Sequence, residues 1–283
     1  MGKIVIVGSG PAGCSAALYA ARAGQEVVVI SMGMGALSKA ELIQNYYGFE
    51  EGITGAELYR QGVAGAKAVG AEFITAEVVG LDYTGSLVVQ TTEGDYPADA
   101  VILATGAGRI APKIAGLAEH EGRGVSYCAT CDAFFYRGKT AAVLGSGEYA
   151  LHEVQALLPL AGRVILCTNG EPLTADFPEG VEICTEKLAA VEGEEKVSAL
   201  RLENGELLPV EGLFVALGVA GSAALARKLG APVENGRIVV DEKMQTGIPG
   251  LYAAGDCTGG LLQVCKAVYE GALAATEAIK QIR

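Results

Sequence analysis

The chain opens with an apolar run, a glycine-rich turn and an alanine-rich segment. Residues 3–7, KIVIV, are apolar and β-branched, which predicts a buried parallel strand. The turn GSGPAG follows at 8–13, and good helix formers then continue as far as Gly24, which is typical of a helix end. A second apolar run at 26–30, EVVVI, predicts the next strand. These elements make one βαβ unit.

The same order of strand, glycine turn, helix and strand returns at residues 140–167. Segments 71–107 and 181–217 each alternate apolar and polar positions and end in a buried apolar run, which predicts a β-meander and a strand. The chain finishes with a strand, a turn and a long helix. The pattern predicts an α/β fold with two Rossmann-like domains, each a three-layer ββα dinucleotide-binding domain.

Composition narrows the possible partners. The 283 residues are 51% hydrophobic and 19% charged, enough for a sizeable core, and the net charge is −12. Nucleic acid is therefore not expected as a partner, because phosphate binding needs a surplus of Lys and Arg. An anionic membrane is disfavoured for the same reason. The sequence shows no signal-peptide pattern and no membrane-spanning stretch, so we expect a cytoplasmic protein.

The first glycine turn has the spacing of a dinucleotide site. Gly8, Gly10 and Gly13 fit G-x-G-x-x-G directly after a strand and at the start of a helix. They permit a tight turn, a close approach to a pyrophosphate, and close packing of helix on strand. The second strand ends at Ser31 instead of the acidic residue that usually holds the ribose, and Ser31 or a backbone group is expected to replace it.

The second glycine turn, GSGEYA, keeps the spacing with Gly145, Gly147 and Ala150. It lacks the rest of a nicotinamide site, because no Arg occurs in residues 164–200 to hold a 2′-phosphate. Glu148 also places a carboxylate where a pyrophosphate would lie. We expect this domain to keep the fold without the ligand.

The segment CATCD, residues 128–132, carries the candidate chemistry. A zinc site is not expected, because it needs four ligands and the only histidines are His120 and His152. Two inert buried thiols remain an alternative. A C-x-x-C pair beside βαβ units in an intracellular chain favours redox chemistry at Cys128 and Cys131. Asp132 is either a proton donor in that chemistry or the N-cap of a helix.

Several segments together resemble one family. They are GSGPAG at the start, ATGA at 104–107, GRGVSYCATCDAFFYRGK at 122–139, IPGLYAAGDC at 248–257, and LQV shortly after. In this order, over nearly the whole chain, they resemble the low-molecular-weight thioredoxin reductases, which are FAD-dependent pyridine nucleotide-disulfide oxidoreductases.

The resemblance implies an FAD-binding domain formed by residues 1–110 and 241–283. An NAD(P)H-binding-like domain of residues 111–240, carrying the cysteines, would be inserted into it. The implied FAD-binding residues are Gly8, Ser9, Gly10, Pro11, Ala12, Gly13, Asn45, Ala104, Thr105, Gly106, Gly255, Asp256, Gln263 and Val264.

The resemblance also implies catalytic roles. Cys131 would lie against the flavin, Cys128 would attack the thioredoxin disulfide, and Asp132 would act as the acid. Homodimers are usual in the family. No metal site is expected.

The chain departs from the NADPH-using members. Their arginine cluster after the second βαβ unit is replaced by CTNGEP at 167–172, and Leu262 stands where they have an Arg. These departures are similar to the ferredoxin-dependent flavin thioredoxin reductases, so we expect reduced ferredoxin as the electron donor. Two alternatives stay open: a reductase using NADPH or NADH through an atypical site, and a flavoprotein that senses redox state without turnover. A basic docking patch for ferredoxin is suggested by Arg109, Lys113, Arg123, Arg137 and Lys139.

Overall fold

The computed structural model describes residues 2–106, 114–218 and 221–282. The chain divides into two compact units, Met1–Arg109 with Gly221–Arg283, and Ile110–Ala220. The second unit therefore interrupts the first along the chain.

The elements run in chain order as follows. The first stretch contains β1 (Lys3–Val7), α1 (Pro11–Arg22), β2 (Glu26–Ile30), a 3₁₀ helix (Gly35–Lys39), α2 (Gly55–Ala68), β3 (Glu72–Ile74), β4 (Val78–Tyr83), β5 (Leu87–Thr91), β6 (Gly94–Ala98) and β7 (Ala100–Leu103). The middle contains β8 (Val125–Ser126), α3 (Ala129–Asp132), a 3₁₀ helix (Ala133–Tyr136), β9 (Thr140–Leu144), α4 (Glu148–Leu157), β10 (Arg163–Cys167), β11 (Glu182–Cys184), β12 (Leu188–Glu192), β13 (Ala199–Leu202), β14 (Leu207–Pro209) and β15 (Gly212–Val215). The last stretch contains α5 (Ser222–Lys228), β16 (Val233–Glu234), β17 (Arg237–Ile238), β18 (Leu251–Ala253), a 3₁₀ helix (Asp256–Thr258) and α6 (Val264–Gln281).

The first unit is built on a five-stranded parallel sheet in the order β18-β7-β1-β2-β3. The buried positions of its central strands are apolar, as is typical of a parallel sheet covered on both faces. The antiparallel sheet β4-β5-β6 belongs to the same unit. Helices α1 and α6 pack against each other through small residues, and Gly271 lies so close to the backbone of Ala12 that a side chain there would clash. The β-meander predicted before β7 is confirmed.

The second unit repeats the plan. Its parallel sheet has the order β11-β10-β9-β15-β8, and the antiparallel sheet β12-β13-β14 accompanies it. The core contains fully buried residues of β9, β10 and β15, among them Leu144, Ile165 and Leu213. The predicted α/β fold with two Rossmann-like domains is confirmed.

Residues 221–240 lie in the first unit, whereas the sequence prediction gave them to the middle domain. Helix α5 contacts β4, and β17 contacts both α5 and the 3₁₀ helix Asp256–Thr258. The Ser222 N–H also donates to Thr105 Oγ1 at 2.9 Å. These contacts hold the segment to the first unit. Among the described helices, none is long and apolar enough to cross a bilayer.

Candidate functional site

A cleft of about 380 Å³ lies in the first unit at the carboxyl ends of its parallel strands. All the predicted FAD-binding residues except Gly13 line this cleft. They come from four places in the chain: the turn after β1, the loop before α2, the end of β7, and the region between β18 and α6. The structure thus brings together residues as distant as Gly8 and Gln263.

The three glycines of the first turn have different physical roles. Gly8 has φ +108°, and a Cβ there would clash with the carbonyl oxygen of Ala104. A Cβ on Gly13 would clash with the carbonyl oxygen of Gly8, so Gly13 packs the helix on the turn and does not line the cleft. A Cβ on Gly10 would meet no atom within 4 Å. Gly10 therefore leaves open space for the close approach of a ligand to the backbone.

The start of α1 is suited to an anion. Gly10 is its N-cap residue and no side chain caps it. Pro11 occupies the first turn, which contains no acidic residue. The N–H groups and the positive end of the helix dipole are thus available to a pyrophosphate at the cleft wall.

Polar groups are held at the opposite wall. The Asn45 side-chain amide donates to Gln263 Oε1 at 2.8 Å, which joins the loop before α2 to the start of α6. Burial raises the pKa of Asp256, while the ammonium of Lys266 opposes that shift. Burial thus disfavours the charged form of this carboxyl relative to a carboxyl in water.

Lys266 and Glu270 fix the segment that carries Asp256. Lys266 Nζ lies 3.0 Å from a Glu270 oxygen and donates to the Gly255 carbonyl at 2.8 Å. Glu270 in turn accepts from the Gly255 N–H at 2.8 Å. The sequence analysis did not identify this pair. In the sequence, this pair is visible only as two opposite charges four residues apart on the small-residue face of α6.

Hydroxyl groups cluster at the end of β2, where the sequence lacks the usual ribose carboxylate. Ser9 Oγ and Ser31 Oγ lie 2.6 Å apart, and Ser9 Oγ is also 3.1 Å from the hydroxyl of Tyr59. Ser31 accepts from the Gly33 N–H at 3.3 Å. Gly33 begins a further wall of the cleft, continued by the 3₁₀ helix Gly35–Lys39, which the sequence did not reveal.

The second unit carries the disulfide Cys128–Cys131, with Cα atoms 5.4 Å apart. Cys128 is the N-cap residue of α3, and its Sγ accepts from the Cys131 N–H at 3.1 Å. The two sulfurs differ in exposure, because Cys128 is buried and Cys131 is exposed. The alternative of two unlinked thiols does not describe this structure.

Asp132 is linked to the disulfide through Ser126. Ser126 Oγ donates to Asp132 Oδ2 at 2.7 Å and accepts from the Cys128 N–H at 3.1 Å. The Asp132 side chain caps no helix, although the residue stands at the start of the 3₁₀ helix that follows. Burial raises the pKa of Tyr136, and the negative charge of Asp132 raises it further. The carboxyl of Asp132 therefore binds Ser126 and caps no helix.

Glu153 is a second carboxylate beside the disulfide. It is buried in α4, and one of its oxygens accepts from the Ala129 N–H at the first turn of α3. A carboxylate at a helix N-terminus stabilises that end. In the sequence, its only mark is that Glu153 falls four residues after Tyr149, on the buried face of α4.

The second glycine turn is in contact with a loop of its own chain. The loop after β10 returns to it, where the Thr174 N–H donates to the Ser146 carbonyl at 2.8 Å. A Cβ on Gly147 would lie 3.0 Å from Thr174 Oγ1, so this glycine does not face open space as Gly10 does. Glu148 occupies the first turn of α4.

Comparison with known proteins places these features in a family. The family model described as pyridine nucleotide-disulphide oxidoreductase matches residues 2–271. The chain belongs to the pyridine nucleotide-disulphide oxidoreductase family. It is 35% identical over 300 residues to a thioredoxin reductase of Aquifex aeolicus, with 98% of this chain and 90% of that protein covered.

Solved structures in the family are similar over the whole chain. An atypical thioredoxin reductase of Desulfovibrio vulgaris Hildenborough matches with a TM-score of 0.93 and 40% identity, covering 100% of this chain and 98% of that one. A ferredoxin-flavin thioredoxin reductase of Clostridium acetobutylicum matches with a TM-score of 0.73 and 35% identity, covering 99% and 98%. The resemblance found in the sequence is confirmed.

Thioredoxin reductases of the pyridine nucleotide-disulphide oxidoreductase family are FAD-binding flavoproteins, and FAD is the cofactor of this chain. The cleft fits that cofactor, because its glycine turn is open at Gly10 and the helix start is free of acidic residues.

Of the other cysteines, Cys257 is buried beside the cleft and donates to the Ala254 carbonyl at 3.3 Å. Burial raises the pKa of its thiol to about 11. In the parts of the chain that the structure describes, no cluster of His, Cys, Asp or Glu could hold a metal ion.

Proposed function

We propose that this protein is a thioredoxin reductase that uses FAD and the Cys128–Cys131 disulfide, and that reduced ferredoxin is its electron donor. The disulfide beside the Ser126–Asp132 hydrogen bond supports the reductase activity. Relatives named thioredoxin reductase, similar over nearly the whole chain, support thioredoxin as the substrate. The single observation that carries the choice of donor is the contact of Thr174 with the second glycine turn.

The chemistry of the cysteines follows from thiol–disulfide exchange. Two electrons and two protons convert the disulfide to two thiols. The Cys128 thiolate then attacks one sulfur of the thioredoxin disulfide, and the other thioredoxin sulfur leaves as a thiolate. Cys131 attacks Cys128 Sγ, which re-forms the internal disulfide and releases thioredoxin as a dithiol. Cys128 is 4% exposed, so its sulfur must become accessible during turnover.

Asp132 is the proton carrier in this scheme. Its Oδ2 accepts from Ser126 Oγ, which also accepts from the Cys128 N–H, so the carboxyl is joined through Ser126 to the backbone of Cys128. A proton held at this carboxyl passes to the leaving thiolate. Bound FAD would supply the electrons, because a flavin accepts electrons singly and delivers them as a pair.

The donor assignment depends on the contrast between the two glycine turns. At the first turn, Gly10 faces open space and no acid lies in the first helical turn. At the second turn, Thr174 hydrogen-bonds to Ser146 and Glu148 adds a negative charge. An incoming pyrophosphate would have to displace the loop and approach a carboxylate. This argues against NADPH or NADH, and the Clostridium relative named for ferredoxin supports the alternative donor.

A nicotinamide donor is the second candidate. It is favoured by Gly145, where a Cβ would clash with the Ala216 carbonyl, and by Ala150 packed beside it, so the tight turn is retained. A redox sensor without turnover is the third, and it is disfavoured by the oriented Asp132.

Anaerobic stopped-flow absorbance separates the donors. FAD-loaded enzyme is mixed in turn with NADPH, NADH and a reduced bacterial ferredoxin, and bleaching of the flavin band is followed. We expect fast bleaching by ferredoxin alone. Fast bleaching by micromolar NADPH or NADH would overturn the donor assignment and leave the reductase activity standing.

The cysteine mechanism has its own control. Cys128→Ser is expected to keep FAD and donor bleaching but to lose thioredoxin reduction. If the variant still turns over thioredoxin, the attack by Cys128 is wrong. A sensor without turnover would be indicated if the wild-type flavin bleached and thioredoxin were never reduced.

The docking patch for ferredoxin stays a prediction. Arg123, Arg137 and Lys139 are exposed in the second unit, whereas Arg109 and Lys113 lie outside the described residues. Reversing the three described charges should slow bleaching by ferredoxin at low salt. Equal rates would remove these residues from the docking surface. The homodimer is a further prediction, tested by sedimentation of the FAD-loaded protein.

A further inference from the structure

A second pair of cysteines lies at the ends of neighbouring strands in the second unit. Cys167 ends β10 and Cys184 ends β11, and the two are register partners in a parallel ladder. Both are free thiols. Neighbouring strands are ~4.8 Å apart and paired residues project to the same face. That spacing falls within the ~4.4–6.8 Å between Cα atoms that a disulfide spans.

The two thiols have unequal surroundings. Cys167 is fully buried, whereas Cys184 is partly exposed on β11, the edge strand of its sheet. A hydrogen bond from Cys167 lowers the pKa of Cys184 to about 6, with help from the backbone N–H of Glu186. Burial and the charges of Glu186 and Glu206 oppose this shift. The same hydrogen bond, together with burial, raises the pKa of Cys167.

We propose that Cys184 and Cys167 form a second redox site, which reacts with peroxides and closes reversibly to a cross-strand disulfide. Cys184 is the attacking thiol because it is the accessible member of the pair. Cys167 is the resolving thiol because it is held in register beside Cys184 and stays protonated until it reacts. This site is separate from Cys128–Cys131 and does not depend on the identity of the electron donor.

The reaction balances in two steps. The Cys184 thiolate attacks one oxygen of hydrogen peroxide, forming a sulfenic acid, and the other oxygen leaves as hydroxide, which takes up the proton that Cys184 had lost. Cys167 then attacks the Cys184 sulfur, so an S–S bond forms and the sulfenic oxygen leaves with the Cys167 proton as water. Two thiols have lost two electrons and two protons, and the peroxide has become two waters. A dithiol reductant reverses the closure by exchange.

The pair stands at the position where a dinucleotide fold normally holds the ribose. The Gly145 N–H donates to the Cys167 carbonyl at 3.0 Å, so β10 directly supports the second glycine turn. The Thr168 N–H donates to the Cys184 carbonyl at 2.9 Å. In this chain, the strand end that lacks a ribose carboxylate carries a dithiol instead.

Peptide mapping of the wild-type enzyme tests the proposal directly. FAD-loaded protein is treated at neutral pH with hydrogen peroxide. It is then denatured, its free thiols are alkylated with iodoacetamide, and it is digested with trypsin. No Lys or Arg lies between Val164 and Glu186, so both cysteines fall in one tryptic peptide, 164–187. Closure makes this peptide lighter by two hydrogen atoms and blocks both alkylations. A second digestion of the closed peptide, with cleavage after Glu179, then leaves two fragments that are joined by the disulfide.

We expect the closed peptide to accumulate with peroxide and to disappear after dithiothreitol. Oxidation of Cys184 to a sulfinic acid without closure would overturn the proposal, as would two alkylated cysteines after peroxide treatment. Cys265→Ser is the matched control, since Cys265 is another exposed cysteine and its removal should leave the closed peptide unchanged.

A second measurement tests the role of Cys167. The alkylation rate of native Cys184 is followed against pH, with the expected midpoint at about 6. In Cys167→Ala the hydrogen-bond donor is lost, and the midpoint should rise toward the ~8.5 of an ordinary cysteine. An identical midpoint in wild type and variant would remove Cys167 from the site.

Discussion

Gly10→Ala tests whether the cleft holds FAD as the geometry indicates. Gly10 has φ −69° and ψ −172°, a conformation that any L-residue adopts, and its Cβ would meet no atom within 4 Å. The protein without FAD should therefore fold. The loss of backbone freedom in the unfolded chain, worth ~0.4–1 kcal/mol, opposes the weaker capping by Ala. We expect the free energy of unfolding to change by less than ~1 kcal/mol.

The effect on FAD should be larger. The new methyl group occupies the space through which a ligand approaches the turn. Forcing a methyl into a close contact costs ~1–3 kcal/mol, which raises the Kd for FAD by ~5-fold to ~150-fold. The assay titrates protein freed of FAD with the cofactor and follows the quenching of flavin fluorescence. Urea unfolding without FAD measures stability separately.

Gly65→Ala is the matched control for this change. Gly65 lies inside α2 away from the cleft, and its Cβ would meet only Leu18 Cδ2, at 3.9 Å. Ala in a helix interior stabilises by ~0.5–1 kcal/mol, so this variant should be more stable with unchanged FAD affinity. The reasoning is refuted if Gly10→Ala binds FAD as tightly as the wild type while remaining folded.

Further variants, built on Glu153, Lys266 and Asp132, test contacts at the two sites. Glu153→Ala leaves the Ala129 N–H without its acceptor and should lower the free energy of unfolding in urea by ~1–3 kcal/mol. Glu153→Gln keeps an acceptor and should lose less, so equal losses would contradict the hydrogen-bond explanation. Lys266→Met leaves buried Glu270 uncompensated and should cost ~3–5 kcal/mol, with recovery when Glu270→Met is added. A double variant as unstable as the single one would show that the ion pair is not the cause. Asp132→Asn should slow thioredoxin reduction ~10²-fold to ~10⁴-fold without loss of FAD, and an unchanged rate would exclude the carboxyl from proton transfer.

The apolar runs were sufficient to predict the parallel strands. The bounds of β1 and β2 match the predicted runs because a strand buried on both faces is apolar at its buried positions, which are the last four residues of each strand. Helix α2 was missed because it contains three glycines, which lower helix propensity. Packing against α1, where Gly62 lies beside Cys14, outweighs this low propensity.

The residues of the candidate site also fall into two groups, those that the sequence predicts and those that it does not. Glycine spacing and the CATCD segment identified residues whose chemistry depends on local sequence. Ser126 and Glu153 were missed because their importance comes from contacts with α3 that no spacing encodes. The domain boundary was misplaced for a similar reason, since Ser222 binds Thr105 across 117 positions of chain.

The discontinuity of the first unit has a consequence for biosynthesis. Strand β18 pairs with β7, and α6 packs against α1, so elements near both ends of the chain complete one core. A ribosome must therefore synthesise the glycine turn long before it synthesises Asp256 and Gln263, which face that turn across the cleft. The interrupting unit can fold in the interval because domains generally fold as units during synthesis. Loading of the flavin then has to follow translation, and a chain released before α6 would remain colourless.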